Sequence, residues 1–304
     1  MIAAPAGQIH VLEATADVAA VINRPHLISH PLSSISDTAP RKLFCIHPGY
    51  GLVSEYRTLA QELDGVVAVI GIESPIYADP DWRADDLDEH ARYYAQRVRK
   101  YQAKGPYSLL GWSHGGLIAV AMAHQLRQDG QDVDFIGLVD VAAEIPAQSS
   151  VSPTSKDEEV DIAEMLNEIK DPRWDTDGLD APDIAIMRQA AEVIRHQDAL
   201  VHGYRIPRLD VPLTVWWASE SLPRPKEQLD WSRHTTRGVR VKGEIDTDHK
   251  TIIRHTKLMT SLRAEFLTAR EYRLPADHDG SQDMLRREQE PASEIIQAPT
   301  ARLV

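Results

Sequence analysis

The chain has 304 residues, 42% of them hydrophobic, which is ample for one large α/β domain or two small ones around a buried core. A formal net charge of −13 argues against broad binding to nucleic acid or anionic membrane. No run approaches the roughly eighteen apolar residues of a membrane span, and the N-terminus lacks the basic start, apolar core and cleavage site of a secretory leader, so a soluble, cytoplasmic protein is expected.

Residues 1–40 carry Pro5, Pro25, Pro31 and Pro40 and the stretch Ser33-Ser34-Ile35-Ser36, and read as an arm laid on the core with at most a short strand at Ile9–Leu12. From Arg41 apolar strand-like runs (Leu43–Ile46, Val66–Ile72, Tyr107–Leu110, Val133–Val139, Leu213–Ala218, Val239–Val241) alternate with helical patterns near 54–63, 85–103, 115–129 and 250–269. That alternation calls for a mainly parallel sheet covered by helices on both faces. The single cysteine, Cys45, excludes an intramolecular disulfide framework and sits in an apolar run as a small buried hydrophobe.

The first part of the core, 41–143, and the second, 206–270, are separated by a stretch, 144–205, where the alternation stops. A Pro, Ser and acidic opening gives way to an amphipathic helix (Met165, Leu166, Ile169) and then to a long helix from about Pro182 to His202. An insertion there would form a helical lid over the carboxyl ends of the strands, with a plain helical hairpin packed on the body as the alternative. Met165, Leu166, Ile169, Ile184, Ile186 and Met187 are candidates for its lining, although each reads first as core between packed helices. Residues 271–304, punctuated by Pro275, Pro291 and Pro299, read as a C-terminal tail.

Gly111-Trp112-Ser113-His114-Gly115 follows an apolar strand and opens a helical run, the context in which a tight turn lifts a serine clear of the sheet. Gly111 and Gly115 have steric reasons to be glycine there. A serine hydroxyl needs a base, and an imidazole needs a carboxylate to hold its tautomer. In sheets of this type the order along the chain is Ser, acid, His. Of 13 histidines, His249 alone follows the last strand through a loop and precedes the final helix. Two acids compete: Asp140 closes the strand Phe135–Val139, and Glu220 follows Leu213–Ala218; position at a strand end does not separate them. For the charge that develops on the attacked carbonyl, the donors are the His114 backbone N–H and the Gly49 N–H of the loop His47-Pro48-Gly49-Tyr50-Gly51, with Tyr50 second to Gly49. Two basic clusters stand out in the acidic chain, Arg92, Arg97, Arg99, Lys100 and Lys104, and Arg233, Arg237, Arg240 and Lys242, either solvated faces or docking patches for an acidic partner.

Side by side, these pieces resemble the thioesterase domains of nonribosomal peptide synthetases and polyketide synthases, which have the α/β-hydrolase fold. Leu43-Phe44-Cys45-Ile46-His47-Pro48-Gly49 is similar to their first core strand and oxyanion loop, and Gly111-Trp112-Ser113-His114-Gly115-Gly116 to their nucleophile motif, tryptophan included. Leu138-Val139-Asp140 is similar to the strand where that family places its acid, which favours Asp140 over Glu220 as the partner of His249. The likeness spans about residues 41–270. Thr247 departs from the glycine common two positions before the family's histidine, leaving the course of that loop open. The resemblance implies a serine thioesterase with no cofactor or metal of its own, whose acyl or peptidyl donor arrives on a carrier-protein phosphopantetheine arm. The acceptor is water, a nucleophile within the acyl chain, or a separate small molecule, as in an acyltransferase. A carrier-independent esterase of the same fold is the other enzymatic reading, and a binding module that has lost catalysis is the non-enzymatic one. The chain is then either an excised domain or a free-standing enzyme.

Overall fold

The computed structural model describes residues 29–31, 41–144, 181–222 and 224–271. The expected strand at Ile9–Leu12, the opening of the insertion (145–180) and the tail from 272 lie outside the described residues. Seven strands form one sheet in the order β1-β3-β2-β4-β5-β6-β7: β1 (Ser29–Pro31), β2 (Lys42–Ile46), β3 (Ala68–Ile72), β4 (Tyr107–Trp112), β5 (Val133–Val139), β6 (Leu213–Ala218) and β7 (Val239–Ile245). The six from β2 onward run parallel. β1 pairs antiparallel with β3 at the sheet margin, where a proline is tolerated. Among the described residues six α-helices accompany them: α1 (Arg57–Glu62), α2 (Leu87–Tyr101), α3 (His114–Gln128), α4 (Ala181–Val201), α5 (Lys226–Leu229) and α6 (Thr256–Glu271).

Alternation along each strand divides the core between the two faces of the sheet. Phe44 and Ile46 of β2 and Tyr107 and Leu109 of β4 face α2 and α3, packing with Leu87, Ala91, Tyr94, Val98, Ile118 and Met122. Leu43, Cys45, Leu110 and Trp112 take the other face, with Tyr56, Leu59, Leu258, Met259, Leu262 and Phe266. Each fully buried aliphatic side chain contributes about 1.5–3 kcal/mol. Both faces being covered, the central strands read as continuous apolar runs rather than alternating ones. The α2 start is specified locally: the Asp86 carboxylate accepts from the Glu89 N–H at 2.7 Å and Glu89 accepts from the Asp85 N–H at 2.7 Å.

The two largest boundary differences from the sequence reading are at β7 and the last helix. β7 continues to Ile245 instead of ending at Val241, because its last residues pair with Trp217 and Ala218 of β6 while its other margin is solvated, with Val241 60% exposed. Such an edge strand, written Arg-Val-Lys-Gly-Glu, carries charge that masks its pattern. The last helix begins at Thr256, not near 250. Asp248 accepts from the N–H groups of Lys250 and Thr251 at 2.7 and 2.9 Å, Ile252–Arg254 form a 3₁₀ turn, and His255 is extended. The His255 ring then accepts from the Lys257 N–H at 3.2 Å, in the manner of a cap. Among the described residues no helix is long and apolar enough to cross a membrane.

Candidate active site

Ser113 stands between β4 and α3 with φ 56° and ψ −134°, a conformation that costs a non-glycine residue about 1–3 kcal/mol and persists only where the surroundings enforce it. They do. A Cβ on Gly111 would lie 2.1 Å from the Gly115 carbonyl oxygen, and one on Gly115 would lie 2.5 Å from the carbonyl oxygens of both Ile46 and His47. The turn is therefore pressed against its own helix and against the end of β2. Tyr56 ties the same two strands, its hydroxyl donating to the Ile46 carbonyl at 2.7 Å and accepting from the Trp112 N–H at 3.1 Å. Ser113 occupies the cap position of α3, yet its hydroxyl makes no capping hydrogen bond.

Asp140 follows β5 directly and is the other non-glycine residue with a left-handed φ among those described, 52°. Its N–H donates to the Trp216 carbonyl at 2.8 Å, which turns the side chain out along the carboxyl edge of the sheet. There Oδ2 lies 2.5 Å from the His249 Nδ1 and accepts from the Ser221 hydroxyl at 2.6 Å, with the Arg224 guanidinium at 3.4 Å; Oδ1 accepts from the Ala218 N–H at 3.2 Å. Burial alone would push this carboxyl up, but the hydrogen bonds from His249 and Ser221 and the charges of His249 and Arg224 together hold it below its usual value. Glu220, the competing acid, is exposed. Only its backbone approaches the histidine loop, the N–H donating to the Thr247 carbonyl at 3.2 Å.

The histidine loop is held from several sides. The Trp112 indole N–H donates to the His249 carbonyl at 2.9 Å, and the two rings lie 5.5 Å apart. The Thr247 N–H donates to the Ser219 hydroxyl at 3.3 Å. Thr247 does not adopt a left-handed φ, so the turn has no conformational need of a glycine there.

The loop after β2 lies against the start of α3, where a Cβ on Gly49 would come within 3.3 Å of the His114 Nδ1. His114 opens α3, so its N–H has no acceptor within the helix and sits at the positive end of the helix dipole. His47, fully buried, donates from Nδ1 to the Pro48 carbonyl at 2.6 Å, and its Nε2 accepts from the Tyr94 hydroxyl at 2.6 Å. A carbonyl can only accept, which fixes the tautomer. Burial pushes the His47 pKa down to about 4, so the ring is neutral at pH 7. The Gly51 N–H donates to the Pro48 carbonyl at 3.0 Å, and the Tyr77 hydroxyl donates to the Tyr50 carbonyl at 2.7 Å, completing a rigid loop.

The geometry thus brings Ser113, Asp140, His249, Gly49 and His114 to one edge of the sheet; Glu220 follows β6 at the same edge but is exposed, and the carboxylate on His249 is that of Asp140. Ser221 and Arg224 were not legible in the sequence as partners of Asp140; a cation six residues past β6 carries no motif. Met165, Leu166 and Ile169 lie outside the described residues, while Ile184, Ile186 and Met187 fall on α4. The basic clusters are differently placed from the site. Arg99, Lys100 and Lys104 lead into the amino end of β4, and Arg233, Arg237 and Arg240 precede or open β7, so these six sit toward the edge of the sheet opposite Ser113, while Arg92 and Arg97 lie earlier on α2 and Lys242 within β7. Acidic side chains also offset the second cluster: Arg233 pairs with Asp230, Arg237 with Asp210, and Arg240 and Lys242 with Glu265.

Comparison with known proteins adds the family. The model of the family described as "Thioesterase domain" matches residues 41–266. Enterobactin synthase component F of Escherichia coli (strain K12) is 40% identical over 98 residues, 32% of this chain and 8% of that protein. The dimodular nonribosomal peptide synthase of Bacillus subtilis (strain 168) is 36% identical over 110 residues, 36% of this chain and 4% of that protein. The chain thus spans a small fraction of the length of these relatives. Among solved structures, the thioesterase domain of NocB in covalent complex with a fluorophosphonate nocardicin G analogue superposes with a TM-score of 0.59 at 24% identity, covering 79% of this chain and 97% of that one. The surfactin-cyclising thioesterase domain SrfTE does so with 0.58 at 17%, covering 79% and 96%. At these identities the structural likeness establishes the fold, that of the α/β-hydrolases.

Proposed function

The chain belongs to the thioesterase domain family, and from that premise we propose that it releases or transfers an acyl or peptidyl group carried as a phosphopantetheine thioester on a carrier protein, through an acyl-enzyme on Ser113. The 2.5 Å contact between Asp140 and His249, beside a serine held on a strained and sterically enforced turn, is the observation that carries the reading. Ser113 Oγ attacks the thioester carbonyl while His249 Nε2 takes its proton. Asp140 keeps the other ring nitrogen protonated and stabilises the imidazolium that forms. The N–H groups of Gly49 and His114 receive the developing oxyanion. Collapse of the tetrahedral intermediate breaks the C–S bond, and His249 returns the proton to the departing thiol. Water, a nucleophile within the acyl chain or a separate acceptor then repeats the sequence on the Ser113 ester.

The mechanism needs no metal ion or organic cofactor beyond the arm that delivers the substrate. Incubation with a panel of acylated carrier proteins, with and without amines and alcohols, followed by mass measurement of the Ser113-linked species and products, tests the donor and the acceptor together. Comparing an acylated carrier with the same acyl group on a short thioester, at low and high salt, isolates docking: a carrier advantage that shrinks with salt is expected for an acidic partner. The placement of Arg99, Lys100, Lys104, Arg233, Arg237 and Arg240 toward the opposite edge of the sheet disfavours these six as the rim of the entrance. Equal rates on both donors would put the carrier-independent esterase ahead.

A further inference from the structure

α4 is fastened directly to the parts of the molecule that surround the nucleophile. Its Val193 packs with Leu52, Ile76 and Tyr77, and a Cβ on Gly51 would lie 2.8 Å from a Val193 methyl carbon, so this helix bears on the loop after β2. The Gln189 amide donates to the Ile76 carbonyl at 2.7 Å. The third fastening is the most telling. His114 Nε2 lies 2.8 Å from the Asp198 carboxylate of α4, with the two side chains only 29% and 22% exposed. That is a shielded charge-assisted contact and not a loose surface pair. The opposite side of the same ring faces Gly49, where a Cβ would come within 3.3 Å of Nδ1. One side chain therefore binds α4 and limits the room at Gly49, the residue that supplies the second oxyanion donor, while its own backbone supplies the first donor.

We propose that Asp198 is a positioning residue: by tethering the His114 ring to α4, it sets the spacing of the Gly49 and His114 N–H groups and makes acylation of Ser113 depend on α4 being docked. The inference rests on the assignment of Ser113 as nucleophile and of these two N–H groups as the oxyanion hole. Its physical basis is the steep dependence of transition-state stabilisation on donor placement, where a displacement of about 1 Å costs on the order of a hundredfold. A substrate whose acyl chain moves α4 would thereby change the reactivity of the serine without touching it.

The test uses a fluorophosphonate, which converts Ser113 into a tetrahedral adduct whose oxygen occupies the oxyanion hole, alongside turnover of a short acyl thioester. Asp198→Ala is expected to slow phosphonylation and to lower kcat in parallel, each by about tenfold or more, with KM within about twofold. Asp198→Asn keeps an oxygen that accepts from Nε2–H and should stay within about threefold of wild type on both readouts. His114→Leu, which retains the backbone donor, should reproduce the loss, and the Asp198→Ala/His114→Leu double variant should be no worse than either single one. If Asp198→Ala folds poorly, His114→Leu with its wild-type backbone donor carries the test on both readouts. A wild-type rate of phosphonylation in Asp198→Ala, a rise in KM with kcat unchanged, or additive losses in the double variant would overturn the proposal. Failure of the wild-type protein itself to react would instead remove Ser113 as the nucleophile, and this inference with it.

Discussion

The corner around Ser113 and the wedge between α2 and α4 are both rich in histidine, but they satisfy their buried polar atoms to very different degrees. At the corner, the fully buried carboxylate of Asp140 has contacts from His249, Ser221, Arg224 and the Ala218 N–H. His90 in the wedge and Gln197 on α4 are equally buried, yet neither side chain finds a hydrogen-bond partner among the described residues. His90 is held by rings alone, 4.4 Å from Tyr94, 5.0 Å from Trp82 and 6.0 Å from His196. A satisfied network is directional and fixes one geometry, which a proton relay needs. Aromatic contact without hydrogen bonds fills space while leaving a penalty of about 1–3 kcal/mol for each group that water would otherwise satisfy. Buried polar groups are thus more completely satisfied around Asp140 than around His90.

The comparison breaks most completely at the serine. Ser113→Ala should abolish turnover and the acyl-enzyme, a loss of several orders of magnitude, while the melting temperature is retained. An acylated protein in that variant, seen by mass, would remove the mechanism. The next largest effect separates the two acids. Asp140→Asn should lower kcat by about a thousandfold to ten-thousandfold, since the amide no longer holds the productive tautomer, whereas Glu220→Gln should stay within about twofold. Comparable losses in the two variants would mean that the contact seen at 2.5 Å is not the one used.

A smaller effect is expected at Arg224, whose charge is one of the influences holding Asp140 below its usual value. Without it, Asp140 titrates at higher pH, and the imidazolium facing the carboxylate loses a competing cation. The acid limb of kcat/KM, which reports the macroscopic titration of the pair, should therefore move to higher pH in Arg224→Met, with the plateau rate changing by only a few-fold. Arg224→Lys should restore most of the original profile. An unmoved acid limb would reduce Arg224 to a packing partner of the Trp217 ring, 5.6 Å from its guanidinium carbon.

How much of this the chain discloses depends on whether a constraint is local. The elbow could be read because its motif is contained in five residues, Gly111 to Gly115, even though the room denied at Gly115 is taken by the distant carbonyls of Ile46 and His47. The central strands could be read because both faces are covered. β7 could not be followed to Ile245, since an edge strand has solvent on one side and no pattern to keep. The partners of Asp140 were legible only as far as His249, whose place after the last strand is a matter of order along the chain. Ser221 and Arg224 reach the carboxylate across 81 and 84 positions through the path of a turn after β6, which no spacing announces. The same holds for Asp198, 84 positions from the ring it binds.

The least change in activity, and the clearest reading of the wedge, should come from His90. Burial holds its pKa well below the usual histidine value, with the nearby His47 and His196 adding to the effect, and burial likewise pushes His47 and His196 down to about 4. A histidine whose folded pKa is depressed stays neutral while the unfolded chain takes up a proton, so the unfolded state binds more protons and stability falls as the pH drops below about 6.5. Each such group contributes up to about 1.4 kcal/mol per pH unit until the pH reaches its folded pKa. His90→Leu removes one of these protons together with two unsatisfied ring nitrogens at modest cost in volume. Urea unfolding at pH 7.5, 6 and 5 should therefore find the variant more stable than wild type by about 1 kcal/mol at neutral pH, with a shallower decline toward acid and nearly unchanged kcat. Equal slopes for the two proteins, or a variant less stable at pH 7.5, would mean that the His90 ring is satisfied in solution and that the wedge is as fully specified as the catalytic corner.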